Sequence, residues 1–108
     1  MTHQVICSLD TDDLKRATDT VRKLAGVVGA FKVGHALTLG PGLGVLETLR
    51  NAGAQRIFLD LKFHDIPNTV ALAVREAARH GVWMMTVHNT GGSAMLSAAV
   101  EEVSAYPL

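Results

Sequence analysis

The sequence predicts an α/β fold in which four βα units feed one parallel sheet. Three observations predict it. Short apolar runs alternate with stretches whose apolar residues recur at helical spacing. Glycine closes the helical stretches at Gly26, Gly53 and Gly81, and an apolar run follows almost at once. A strict β-then-α rhythm also requires crossover connections, which make the strands parallel, the crossovers right-handed and both faces of the sheet largely covered.

The first unit pairs a strand at 5–9 (VICSL) with a helix over 11–26. Thr11 stands at the N-cap position, and Leu14, Ala17, Thr18, Val21, Leu24 and Ala25 fall on one helical face. The second has a strand at 27–34 (VVGAFKVG), then a glycine-rich loop at 40–44 (GPGLG) leading into the helical stretch VLETLRNAG. That loop lacks the GxGxxG spacing and no strand runs directly into it, so it reads as a turn rather than a phosphate cradle. The third has a strand at 56–62 (RIFLDLK) and a helix over 67–81. Pro67 suits its first turn, with Val70, Ala71, Val74, Ala77 and Ala78 on its apolar face. The fourth has a strand at 82–88 (VWMMTVH) and a helix over 93–106. No linker or low-complexity segment interrupts residues 1–108, which read as a single (βα)4 domain.

Composition narrows the function classes. The chain has 108 residues, 48% of them hydrophobic, enough for one small core. Ten Lys and Arg balance ten Asp and Glu. There is no positive field to attract nucleic acid or an anionic membrane, so an anionic ligand must be held by individually placed charges. No apolar run approaches the ~20 residues of a membrane span, and the N-terminal MTHQVICSLD lacks the signature of a signal peptide. Cys7 is the single cysteine, which rules out an internal disulfide and points to the cytoplasm. It reads as a small buried apolar residue.

Function in parallel α/β proteins gathers at the carboxyl ends of the strands. Asp10 ends the first strand, Lys32 lies near the end of the second, Asp60 and Lys62 end the third, and His88 ends the fourth. Asp60 and Lys62 are two apart, so a regular strand points them to one side. Asp65 follows in the loop. Taken singly, Asp10 reads equally as a helix cap and His88 as a structural histidine. His3, His35, His64 and His80 read as surface or structural groups. Two lysines interleaved with two aspartates beside apolar residues are harder to read as surface charge. They can form a structural ion network, or an electrostatically preorganised site that stabilises a charged transition state. No HExxH, CxxC or Ser-His-Asp arrangement is present, and the carboxylates alternate with lysines, so no metal site is expected.

The stretch DLKFHDIPNT at 60–69 closely resembles the DxKxxDIPNT signature of the orotidine 5′-phosphate decarboxylase family. SLD at 8–10, FKVG at 31–34 and VH at 87–88 agree with it, and the likeness covers nearly all of the chain. DxKxxD alone is shared with related sugar-phosphate synthases of the superfamily; IPNT and a lysine on the second strand favour the decarboxylase. Length alone favours an open doubly wound sheet, because a (βα)8 barrel takes roughly 250 residues. The charge placement and the resemblance instead imply the first half of a TIM (βα)8 barrel.

The resemblance implies conversion of orotidine 5′-monophosphate to UMP and CO2 without a cofactor, in pyrimidine biosynthesis. It implies a charged catalytic array of Lys32, Asp60, Lys62 and Asp65, with Lys62 as proton donor to C6 of the pyrimidine and Asp60 near the substrate carboxylate. Asp10 and Lys32 would hold the ribose, and His88 joins the substrate-binding set. Asp65, Ile66 and Thr69 would reach across a dimer interface. Members of the family run roughly twice as long, so the chain is expected to be a half-barrel with weak or no activity alone, associating as a homo-oligomer. The alternatives are a Mg²⁺-dependent sugar-phosphate synthase or decarboxylase of the superfamily, and a non-catalytic, self-associating half-barrel.

Overall fold

The computed structural model describes residues 4–106, so His3 lies outside the described residues. The strands are β1 (Ile6–Ser8), β2 (Ala30–Val33), β3 (Ile57–Phe63) and β4 (Met84–Val87). The α-helices are α1 (Leu14–Leu24), α2 (His35–Leu39), α3 (Val45–Asn51), α4 (Pro67–Arg79) and α5 (Ser93–Ser104), with a 3₁₀ turn at Asn89–Gly91. The four strands form one sheet in the order β1-β2-β3-β4, and Cys7 pairs with Phe31 and Phe31 with Ile57 in parallel register. The expected α/β fold with alternating parallel strands and helices is the observed one. The chain divides within β3 into two compact units, residues 1–60 and 61–108.

In the first unit, α1 buries Ala17, Thr18 and Val21, three residues of the face read from the sequence. Its start is a correction. The helix begins at Leu14, and Asp13 rather than Thr11 is the N-cap; its Oδ1 accepts the N–H groups of Lys15 at 3.0 Å and Arg16 at 3.3 Å. Thr11 instead accepts the Asp13 N–H on its hydroxyl, bracing the cap. A carboxylate answers two orphan amides at the positive helix end, which a hydroxyl does less well. Asp13→Ala is expected to cost about 1 kcal/mol, read as a lower urea midpoint at unchanged slope. In the second βα repeat of the same unit, the helix expected after the glycine-rich loop is α3, and a short further helix, α2, precedes it across the turn through Gly42 at φ +96°. Leu37, Val45, Leu46 and Leu49 are buried from these pieces. Cys7 is half-buried rather than buried, because β1 lies at the sheet edge.

In the second unit, α4 packs on α5 around a cluster of Val70, Val74, Met95 and Ala99, with Phe63, Met85 and Val87 against it. Full burial of each larger side chain contributes about 1.5–3 kcal/mol. Arg75 on α4 faces Glu102 on α5, Nε to Oε1 at 2.9 Å. That buried Nε makes no hydrogen bond, so the contact is electrostatic and off the donor axis. Gly81 takes φ +74° just after α4, the left-handed stop its position in the sequence predicts.

Candidate functional site

The first unit brings two of the predicted residues together. Lys32 on β2 and Asp60 on β3 form an ion pair, Nζ to Oδ2 at 3.3 Å. Their strands are adjacent, and Val33 pairs with Leu59, which sets the two side chains on neighbouring strand ends. The Asp60 side chain is 9% exposed and that of Lys32 27%. A carboxylate so enclosed must be matched by charge or hydrogen bonds, because burying it alone costs several kcal/mol or more. Asp10, one residue beyond Leu9, is exposed and accepts the Ser8 hydroxyl at 2.9 Å on Oδ1. Leu9 itself is buried, and its N–H is accepted by the Lys32 carbonyl, so the β1–β2 ladder holds the Asp10 backbone beside β2.

The second unit collects the others at the end of β3 and β4. Lys62 has φ +53°, and among the described residues it is the one non-glycine in the left-handed region. That conformation costs an L-residue about 1–2 kcal/mol, and such outliers persist where surrounding structure over-determines them, commonly at functional sites. The expected regular-strand geometry at this position is therefore corrected: the backbone turns at Lys62. Its N–H is accepted by the Thr86 hydroxyl at 3.0 Å. Lys62, Thr86, Val87, His88 and Asn89 line an open hollow of about 300 Å³.

His88 donates its backbone N–H to the Phe63 carbonyl at 2.9 Å, and its ring Nδ1 lies 2.6 Å from the Thr90 hydroxyl. The ring stacks on His64, with centroids 4.7 Å apart and planes 17° from parallel. His64, read as a surface or structural histidine, thus forms one wall of the loop that carries Asp65. Asp65 accepts the Ile66 N–H at 2.7 Å on Oδ1. Asp65 and Ile66 line a second hollow with His64, Pro67, Thr90 and Gly91. Ile66 is 65% exposed, and Thr69 is exposed in the first turn of α4. No group of three or more His, Cys, Asp or Glu placed to hold a metal ion occurs among the described residues.

The sequence reading missed Thr86. A signal existed: it is the one polar residue in the strand MMTV, and it lies two before His88, on the same side of a regular strand. Gly91 was also passed over. A Cβ there would run into the Met95 thioether, and Met95 is fully buried, so any larger residue would have to push that side chain aside for the 3₁₀ turn to lie against α5.

Chemically, the two units offer different things. The first supplies a desolvated carboxylate–ammonium pair. The second supplies a lysine on a strained backbone at the rim of an open hollow, beside an imidazole.

The sequence profile described as "Orotidine 5'-phosphate decarboxylase / HUMPS family" matches residues 3–107. An orotidine 5'-phosphate decarboxylase of Legionella pneumophila (strain Corby) is 49% identical over 108 residues, covering 98% of this chain and 46% of its own length. One from Syntrophotalea carbinolica is 48% identical over 103 residues, covering 95% and 42%. Among solved structures, orotidine 5'-phosphate decarboxylase from Lactobacillus acidophilus superposes with a TM-score of 0.83 at 38% identity, covering 95% of this chain and 46% of that one. The Methanocaldococcus jannaschii enzyme complexed with inhibitor BMP reaches a TM-score of 0.88 at 23% identity, over 97% and 49%, a likeness of fold. The chain spans just under half the length of these relatives, matching an N-terminal half. No helix among the described residues is long and apolar enough to cross a membrane. On the profile match, which takes in nearly every residue, this chain belongs to the orotidine 5'-phosphate decarboxylase / HUMPS family.

Proposed function

We propose that residues 1–108, acting as one (βα)4 half-barrel, provide the ionic half of a site that decarboxylates orotidine 5′-monophosphate to UMP and CO2. The observation that carries the reading is the Lys32–Asp60 pair, 3.3 Å apart with the carboxylate buried, at the head of DLKFHDIPNT. Loss of CO2 leaves negative charge on a vinylic ring carbon that cannot spread it well. A fixed ammonium at that carbon stabilises the charge as it develops and then supplies the proton. Lys62 is assigned that role at C6. Asp60 is assigned a place near the substrate carboxylate, where its held negative charge disfavours the carboxylate before CO2 leaves. Asp10 and Lys32 are assigned to the ribose, His88 to the substrate, and Asp65 with Ile66 and Thr69 to a neighbouring subunit's site. The exposure of Ile66 and Thr69 supports that last assignment. The chemistry needs no electron sink beyond these groups, so no cofactor is assigned. A cytoplasmic location fits the single half-buried thiol.

The test is loss of orotidine monophosphate absorbance on adding the purified chain, with and without EDTA. The chain alone is expected to turn over weakly or not at all, and whatever turnover it shows is expected to be indifferent to EDTA. Activity that vanishes with EDTA and returns with Mg²⁺ would transfer the chain to the metal-dependent synthase branch that the family also holds. No turnover in any assembly would leave a self-associating half-barrel.

We also propose that the chain associates with itself. Strands β1 and β4 end the sheet. In the first unit, Val5, just before β1, is 60% exposed and Ile6 on β1 is 40% exposed. In the second, an apolar hollow of about 240 Å³ lies among Val74, Met85, Val87, Ala99, Val100 and Val103. Unpaired apolar edges pair with other chains, and identical chains do so through closed symmetry, most often as two-fold dimers. Sedimentation is expected to give a dimer or larger at micromolar concentration. A folded monomer across that range would refute it.

A further inference from the structure

Thr86 is half-buried in β4, and its hydroxyl meets a backbone group: it accepts the Lys62 N–H at 3.0 Å, across 24 residues of sequence. Lys62 holds the left-handed conformation at φ +53°. Lysine has no intrinsic reason to adopt it, since its Cβ crowds the following carbonyl there. Something outside Lys62 must therefore hold the backbone, and a hydroxyl aimed at the N–H of that residue is placed to do so. Threonine suits the task. Its β-branch restricts χ1, so the hydroxyl direction is fixed by the strand that carries it. Thr86 and Lys62 also line the same hollow, so the hydroxyl acts where the lysine side chain starts.

We propose that Thr86 is a positioning residue. Its hydroxyl holds the Lys62 backbone in the left-handed turn and thereby sets the direction in which the Lys62 side chain leaves β3. The functional meaning rests on the assignment of Lys62 as the catalytic acid; the positioning is readable without turnover. An ammonium displaced by about 1 Å from the carbon it must protonate loses orders of magnitude in rate, whereas substrate binding through other groups is little affected.

The experiment compares the wild-type chain with Thr86→Val, which keeps the shape and removes the acceptor, and Thr86→Ser, which keeps the acceptor. Amide exchange, the HN–Hα coupling and the backbone chemical shifts of Lys62 are measured by NMR in each. In Thr86→Val the Lys62 amide is expected to exchange at least about tenfold faster, with shifts moving away from left-handed values. Thr86→Ser is expected to stay within about threefold of wild type, because the hydrogen bond survives. Where the chain turns over orotidine monophosphate, Thr86→Val should lower kcat with KM nearly unchanged, and Thr86→Ser should restore it. Should Thr86→Val fail to fold, Thr86→Ala serves the same comparison. An unchanged Lys62 coupling and exchange rate in the folded Val or Ala variant overturns the proposal. Absence of turnover in the wild-type chain leaves the NMR result to decide the positioning.

Discussion

In a full-length context, Lys62→Ala is expected to remove nearly all turnover, a loss of about 10³-fold or more, while far-UV circular dichroism stays unchanged. General acid catalysis alone is worth roughly 10²–10⁴, and a preorganised charge at the site of developing negative charge adds roughly 10²–10³. The two effects come from one ammonium, so they are lost together and do not multiply in full. Lys62 is exposed, so truncating it leaves no cavity to unfold the chain. Its backbone supplies an internal control. Alanine keeps the Cβ that makes φ +53° costly, whereas glycine does not. Lys62→Gly is therefore expected to be equally inactive yet about 1 kcal/mol more stable than Lys62→Ala. Near-normal turnover in either variant would sink the assignment of the acid. Equal stabilities would show that the left-handed turn carries no strain.

The same residue marks the boundary of what the sequence could convey. Its place at a strand end, two residues after Asp60, follows from apolar periodicity and the strand-end rule. Its left-handed backbone does not, because lysine has no preference for that region and only tertiary partners such as the Thr86 hydroxyl can impose it. The βα rhythm was legible because glycine stops and helical spacing are local signals. The second repeat was half legible: the GPGLG turn and the helix after it were read, but α2 was not, because His35–Leu39 is too short for a periodic pattern to register. The cap of α1 was misplaced by two residues because Thr11, Asp12 and Asp13 all carry capping chemistry, and only the backbone geometry chooses among them. The Lys32–Asp60 contact joins residues 28 positions apart and needed the β2–β3 register to become a distance. The residue types pointed to an ionic site; the pairing of Lys32 with Asp60 came from the fold.

That pair carries the second large effect. Asp60→Ala is expected to destabilise the chain by about 2–3 kcal/mol, because breaking one side of a buried ion pair strands the other charge. The value sits below the roughly 3–5 kcal/mol of fully buried pairs, since the Lys32 side chain is 27% exposed and its stem can carry the ammonium toward water. The contrast within the chain is Lys15–Asp19 on α1, 3.1 Å apart but with the lysine side chain 86% exposed, where removing either partner should cost at most about 1 kcal/mol. Removing both charges at the buried pair tests what it is for. A well-packed apolar replacement of a buried ion pair is often neutral or stabilising, so Lys32→Met with Asp60→Ala is expected to recover most of the lost stability. Turnover should stay absent in that double variant. Recovery of folding without recovery of chemistry would mean that Lys32 and Asp60 are held for the reaction at the expense of stability. Urea unfolding of the wild type, Lys32→Met, Asp60→Ala and the double variant reads the coupling directly, and an Asp60→Ala cost below about 1 kcal/mol would reduce the pair to an ordinary surface contact.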